Sequence, residues 1–441
     1  MPESTLPSHD VIVAGGGLSG LAAAVFAARA GKRTLLITRG SGVLAIGGGS
    51  IDVLGYRPDG TPLTAPFDGF DSLPPRHPYR LVGEQTVRRA LSAFVRLSEE
   101  AGFPYQHSGD TNTRIATGLG TTKPSFLVPP TLSMRGIASA QTVLVAGVAQ
   151  LKDFSPLLIA QGLSARQTFA GKTLVPVSLP CPFSLQRDLS TLDLARYLDT
   201  PDGLHWLISS LKSALPAQAT RQTHAVLLPP LLGTTADARV HAAVAAATVS
   251  VSEVVTLPPA ITGLRLHAML LRLLKKYHVD LIEQASVTGA VIENRHCTAL
   301  ITTNDGRERR YAGRTHIIAT GGILSEGFLT TPERAWEPIF NLELPLNPSS
   351  PGWSLPLAYP ACAPLGSPAN TAQHHGFALL GPAVDNELRP LAPDKTLLCD
   401  NVFLIGKTLG GYDHAAEKSG NGVALATACF AAEKVVSYES H

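Results

Sequence analysis

The sequence predicts an α/β fold: a Rossmann-like domain, discontinuous in the chain, with a second α/β domain inserted into it. Three observations predict it. A short apolar run at residues 11–14 (VIVA) leads through Gly15-x-Gly17-x-x-Gly20 into an Ala-rich stretch and a second apolar run, residues 34–38 (TLLIT). Strand-like runs ending in glycine return late, at residues 316–322 and 401–406. Between them, residues 121–262 carry their own alternation of strand-like and helix-like segments. A β-α-β start implies a parallel sheet with a right-handed crossover. The expected division is therefore 1–120 and 263–441 for the Rossmann-like domain and 121–262 for the insertion.

Each element has its own warrant. The four-residue run before Gly15 is of buried-strand type, and residues 21–30 read as a helix. Residues 40–50 are uncharged and Gly-rich, as in a loop laid against a ligand, and residues 57–80, rich in Pro and Gly, read as irregular. In the insertion, residues 142–146, 223–228 and 252–257 read as strands, and residues 192–198 and 236–248 as helices. A long helix over residues 263–277 leads back to the first domain. The run HIIA at residues 316–319 ends in Thr320-Gly321-Gly322, and NVFLI at 401–405 ends in Gly406. Gly420-Asn421-Gly422 opens a last helix that runs to Val436.

Composition narrows the function. A chain of 441 residues has room for two to three domains, and 44% hydrophobic with 16% charged residues is a globular composition. A net charge of +2 points to no nucleic-acid partner. The five cysteines are scattered, with no C-x-x-C, which argues against a disulfide framework, a zinc site or an all-cysteine iron–sulfur site. No metal is expected. Residues 11–28 are uncharged but hold four glycines and lack a basic segment upstream, so they read as neither a membrane span nor a signal peptide. The expectation is a cytoplasmic chain with no anchor of its own.

The glycine spacing carries the chemistry. Gly15 permits a tight turn, Gly17 lets backbone approach a phosphate, and Gly20 lets helix and strand pack closely. The helix N-terminus adds free N–H groups and a positive dipole end. A dinucleotide site usually places an acid about 20 residues on to hold the adenosine ribose. Here no Asp or Glu occurs from Val11 to Ile51, and Thr38 followed by Arg39 stands in that place. Either the adenosine is held otherwise, with Thr38 bonding the ribose, or the ligand is a mononucleotide. At the far end, Gly420-Asn421-Gly422 at a helix start would point N–H groups at the pyrimidine edge of an isoalloxazine, where negative charge develops on reduction. Three glycine clusters in this order point to a flavin.

These residues resemble the two-domain flavoproteins of the fumarate reductase and succinate dehydrogenase group. More closely, the chain resembles the B-subunit family of anaerobic glycerol-3-phosphate dehydrogenases. VIVAGGGLSGL at Val11, TRGSGVLAIGGGSIDVL at Thr38, LPPAITGLRL at Leu257, DNELRP at Asp385 and NVFLIGKTLGGYD at Asn401 carry the resemblance. The resemblance implies one component of a three-part complex that oxidises sn-glycerol 3-phosphate to dihydroxyacetone phosphate. A second flavoprotein subunit and an iron–sulfur, membrane-associated subunit are the implied partners. Electrons pass to membrane quinone for anaerobic respiration on fumarate or nitrate. The chain would then sit at the inner membrane through its partner. The family is assigned FMN, in keeping with the missing ribose acid, with FAD the alternative. Expected cofactor contacts are Gly15, Gly17, Gly20, Thr38, Arg39, Gly48, Gly49, Ser50, Asp52, Gly321, Gly322, Gly406, Gly410, Gly411, Gly420, Asn421 and Gly422. The Lys418-Ser419 pair before Gly420 departs from a family pattern richer in glycine.

Oxidising a secondary alcohol needs a hydride acceptor and a base. His374 or His375 is the candidate base, against the plain alternative of a surface pair. Arg265 and Lys407 are candidates for substrate phosphate; an Arg on a helix is more often solvated or ion-paired. Asp52 and Asp413 read equally well as loop caps. Three classes stay open: a catalytic flavosubunit, an electron-carrying flavosubunit with no substrate site of its own, and a fumarate reductase-like flavoprotein.

Overall fold

The computed structural model describes residues 9–184, 187–304, 306–331, 334–344 and 376–438. In chain order the elements that matter here are β1 (His9–Ala14), α1 (Leu18–Arg29), β2 (Thr34–Ile37), α2 (Glu84–Glu100), β3 (Thr142–Val148), α3 (Pro156–Ser164) and β4 (Thr173–Leu179). They continue with α4 (Thr191–Leu198), α5 (Pro201–Ala214), β5 (His224–Leu228), α6 (Ala238–Ala247), β6 (Ser250–Glu253) and α7 (Ile261–Lys276). Then follow β7 (Asp280–Ile282), β8 (Ser286–Glu293), β9 (His296–Asn304), β10 (Arg307–Ile318), β11 (Val402–Leu404), α8 (His414–Glu417) and α9 (Gly420–Ser437). The chain forms two compact units. One comprises Met1–Val43, Val53–Phe94 and Leu270–His441; the other comprises Leu44–Asp52 and Val95–Met269. The divisions fall inside α2 and α7.

The first unit is built on a seven-stranded sheet in the order β8-β9-β10-β1-β2-β7, with β11 also paired to β10. The strands β10, β1, β2, β7 and β11 run parallel, and β8, β9 and β10 form an antiparallel meander. Strand β10 serves both parts. Its first half, Arg307 to Ala312, pairs with β9, and its second half lies between β1 and β11. Its burial follows suit: Arg307 to Arg310 are exposed and Thr315 to Ile318 buried. Val11, Ile12, Val13 and Ala14 have no exposed surface, because a central parallel strand is covered on both faces. Burial of each Val or Ile there contributes about 1.5–3 kcal/mol. Helices α1 and α9 pack on each other, and their alanines let the backbones approach.

The hairpin β8–β9 is absent from the sequence expectations. Its two-residue turn, Asn294-Arg295, has φ of 51° and 64°, the left-handed pair that matches strand twist. Residues 57–80, expected to be irregular, contain a 3₁₀ turn (Pro66–Ser72) and a short helix (Pro78–Val82). In both, proline occupies the opening turn, where its missing N–H costs nothing.

The second unit holds a parallel sheet in the order β4-β3-β5-β6. Its core is drawn from Val143–Ala146, Ala225–Leu228 and the helices on either side. Two helices beyond those expected, α3 and α5, each begin with proline after a capping hydroxyl. Ser155 accepts from Leu158 N–H and Thr200 from Gly203 N–H. The strand expected at 252–257 is β6, which ends at Glu253. Beyond it Val255 N–H turns to Ala116 O, and Pro258 and Pro259 have no N–H to offer a ladder.

Candidate functional site

The turn between β1 and α1 discriminates among its three glycines. Gly15 has φ of +122°, and a Cβ there would lie 2.2 Å from Ala319 O. A Cβ on Gly20 would lie 1.9 Å from Gly15 O. On Gly17 a Cβ would meet nothing within 4 Å. Gly15 and Gly20 are therefore required by the protein's own packing, whereas Gly17 faces open space. Gly17 is also the N-cap of α1, with no side-chain cap and no acid in the first turn. The opening N–H groups of α1 and the space over Gly17 fit a phosphate.

Two chain-distant glycine clusters come to the same helix end. The end of β10 continues into Gly321, with φ of +82°, whose N–H donates to Thr408 Oγ1 at 3.0 Å. Gly406, with φ of +62°, abuts α1: a Cβ there would lie 2.4 Å from Ser19 Oγ. Its N–H donates to Thr427 Oγ1 of α9 at 2.9 Å. A Cβ on Gly322 would lie 3.2 Å from Lys407 Cγ. Thr320 Oγ1 is buried with no hydrogen-bond partner among the described residues. Gly410 and Gly411 serve backbone packing, their added Cβ atoms falling 2.6 Å from Gly381 N and 2.7 Å from Arg76 O.

Helix α9 opens at Gly420-Asn421-Gly422 without an acid in its first turn and without a side-chain cap. The N-cap hydroxyl of Ser419 instead donates to Glu417 Oε2 at 2.9 Å. Glu417 also contacts buried His77 at 3.1 Å. Lys407 Nζ donates to Ala378 O at 2.6 Å and lies 4.8 Å from the Tyr412 ring centroid. Burial lowers its pKa to about 8, against the opposing pull of Asp413 and Glu417. Asp413 caps α8 through Ala415 and Ala416 N–H. An uncapped helix start, a buried orphan hydroxyl and a cradle over Gly17 together fit a flavin nucleotide.

The second-strand end is closed on itself. Thr38 Oγ1 donates to Gly40 O at 2.6 Å and accepts from Gly40 N–H at 3.0 Å. Its hydroxyl lies 2.1 Å from where a Gly16 Cβ would be. Arg39 pairs with Glu326, both half exposed, and that contact lowers the Glu326 pKa.

The remaining expected contacts belong to the second unit. Gly49 has φ of +73°, and a Cβ there would strike Thr262 O at 2.4 Å. A Cβ on Gly48 would lie 2.9 Å from Val255 Cγ1. Ser50 Oγ donates to Asp52 Oδ1 at 3.0 Å, and Lys123 Nζ reaches Asp52 Oδ2 at 2.5 Å and Ser50 Oγ at 3.0 Å. Lys123 was missed by sequence reasoning; only the fold brings it to the Ser50–Asp52 loop. Arg265 requires a correction. It is 1% exposed; Nε donates to Gly233 O at 2.8 Å, Nη2 to Glu253 Oε1 at 2.9 Å, and Nη1 pairs with Glu253 Oε2. Burial forces this guanidinium to be neutralised within the chain, so it is not placed to meet a substrate phosphate. His374 and His375 lie outside the described residues. Among the described residues no group of three or more His, Cys, Asp or Glu is arranged to hold a metal. Nor is any helix among them long and apolar enough to cross a membrane.

The sequence matches the family described as FAD binding domain over residues 10–423. It is 30% identical to the B subunit of the anaerobic glycerol-3-phosphate dehydrogenase of Vibrio cholerae serotype O1, over 97% of both chains. It is 32% identical, over 95% of both chains, to the probable B subunit of the anaerobic glycerol-3-phosphate dehydrogenase of Halobacterium salinarum. A solved 3-ketosteroid delta1-dehydrogenase from Sterolibacterium denitrificans superposes with a TM-score of 0.44 at 11% identity, covering 98% of this chain and 100% of that one.

Proposed function

We propose a function from one plain premise: this chain belongs to the FAD binding domain family and to the B subunits of anaerobic glycerol-3-phosphate dehydrogenase. It is a flavoprotein oxidoreductase that takes part in oxidising sn-glycerol 3-phosphate to dihydroxyacetone phosphate. It pairs with a second flavoprotein subunit in that oxidation, and an iron–sulfur subunit passes the electrons to membrane quinone, in respiration on fumarate or nitrate. The chain works on the cytoplasmic side and reaches the inner membrane through those partners. The observation that carries this reading is the 30% identity sustained over 97% of both chains.

The flavin, when bound, supplies the two-electron acceptor. The chain's own residues bind and orient it. The first turn of α1 and the open face of Gly17 would take phosphate, and the unpartnered Thr320 hydroxyl would be a further contact. The first turn of α9, with no acid and no side-chain cap, would meet the pyrimidine edge and stabilise negative charge there. FMN is favoured over FAD. An adenosine ribose needs an acceptor at the end of β2, and the Thr38 hydroxyl there is engaged with Gly40. Denaturing the protein and separating the released flavin against both standards tests this; stoichiometric FAD would reverse the assignment.

The Arg265–Glu253 pair favours a second reading, in which this chain carries electrons and its partner holds the substrate. Anaerobic addition of sn-glycerol 3-phosphate to the isolated, flavin-loaded chain separates the two. Bleaching of the flavin supports a substrate site here. Bleaching only after the second flavosubunit is added supports the electron-carrying role. Failure to co-purify with either partner on co-expression would count against the complex itself.

A further inference from the structure

His414 opens the short helix α8, just ahead of α9. A Cβ on Gly420, the first residue of α9, would lie 3.2 Å from His414 Cβ and 3.6 Å from Cδ2. The imidazole therefore packs against the opening turn of that helix. Its Nδ1 is closed off from solvent and has no hydrogen-bond partner among the described residues. A buried, unpaired ring nitrogen is costly, so its retention beside an uncapped helix start calls for a role. The Tyr412 ring meets it edge-on at 6.4 Å.

The charges around it come from three places. Lys407 follows β11, Asp413 and Lys418 flank α8, and Glu417 lies within α8. Burial pushes the imidazole below its usual pKa, and Lys407 and Lys418 push the same way, while Asp413 and Glu417 oppose them. These effects favour the neutral imidazole, which keeps one ring nitrogen able to accept a proton.

We propose that His414 compensates the charge the flavin gains on reduction, taking up a proton at its open nitrogen as negative charge develops at the pyrimidine edge over α9. It rests on the placement of that edge at the first turn of α9. In balance, two electrons and one proton enter the cofactor from the reductant and solvent, and a second proton enters the imidazole from solvent through the ring nitrogen that is not closed off. On reoxidation that proton returns to solvent. The new negative charge raises the affinity of the ring for its proton, and the protonated ring in turn stabilises the reduced state.

The test uses the flavin-loaded chain above pH 7. Wild-type protein is photoreduced in weak buffer with a pH-indicating dye, and the midpoint potential is followed against pH for wild type and His414→Asn. Two protons per two electrons are expected for wild type and one for the variant. The potential of wild type then falls by about 30 mV more per pH unit than that of the variant, one extra proton in a two-electron couple. One proton per two electrons in wild type, or superimposable slopes, overturns the proposal. The wild-type proton count stands even where the variant does not fold. Flavin content of a Gly17→Asp protein tells the two failures apart: flavin lost there, with unchanged His414 slopes, overturns the role of His414 and leaves the cofactor site standing.

Discussion

Gly406 and Ser19, near opposite ends of the chain, touch so closely that a Cβ on Gly406 would lie 2.4 Å from Ser19 Oγ. Gly406 also sits at φ of +62°, in the left-handed region that side chains resist. Gly406→Ala is expected to cost about 1–2 kcal/mol from backbone strain alone, and more from the contact. Pairing it with Ser19→Gly removes the contact but not the strain. Thermal unfolding should therefore show partial recovery in the double variant; full recovery would mean the strained φ is unimportant.

Gly17 and Gly20 should fail differently. A side chain on Gly17 enters open space, and Asp is a favourable N-cap residue. Gly17→Asp is expected to fold with an unfolding midpoint equal to the wild-type apoprotein, yet to lose the yellow absorbance, because its carboxylate occupies and repels the phosphate position. Gly20→Ala strikes Gly15 O at 1.9 Å and should be recovered in low yield or unfolded. A Gly17→Asp protein that keeps its full flavin absorbance would remove the phosphate from this turn.

The buried pair Arg265–Glu253 joins α7 to β6, and Glu253 Oε1 also accepts from Leu232 N–H at 2.7 Å. Removing one partner leaves a buried charge uncompensated. Arg265→Met and Glu253→Gln are each expected to destabilise by about 3–5 kcal/mol, read by urea unfolding. Their losses should not add in the double variant. A well-folded Arg265→Met protein altered only in its KM for glycerol 3-phosphate would give Arg265 a substrate role after all.

His316 lies in β10 with no exposed surface, and neither ring nitrogen has a partner among the described residues. Burial, with a smaller push from His296, lowers its pKa from 6.5 to about 3. The unfolded chain therefore binds a proton between those values that the folded chain does not. The neutral ring leaves stability intact above pH 6.5, and stability is lost as pH falls from 6.5 towards 3. The slope is at most about 1.4 kcal/mol per pH unit. His316→Leu should be more stable than wild type at pH 5, with a smaller difference at pH 7.5. A difference independent of pH would show that the ring does not titrate in this window.

How much of this was legible beforehand depended on the range of the forces involved. The turn at Gly15, Gly17 and Gly20, the strands on either side of α1, and the long helices α7 and α9 were readable because spacing and periodicity act within one or two turns of chain. The late glycine clusters at Gly321 and Gly406 could be named, and the missing acid at Thr38 seen, for the same reason. Local sequence could not say that Arg265 would be neutralised by Glu253, or that Lys123 would join Ser50 and Asp52. Burial changes the energetic balance of a charge or a hydroxyl. Who stands opposite it is decided only when β6, α7 and the loops are packed, because residues far apart in the chain become neighbours only in the tertiary structure.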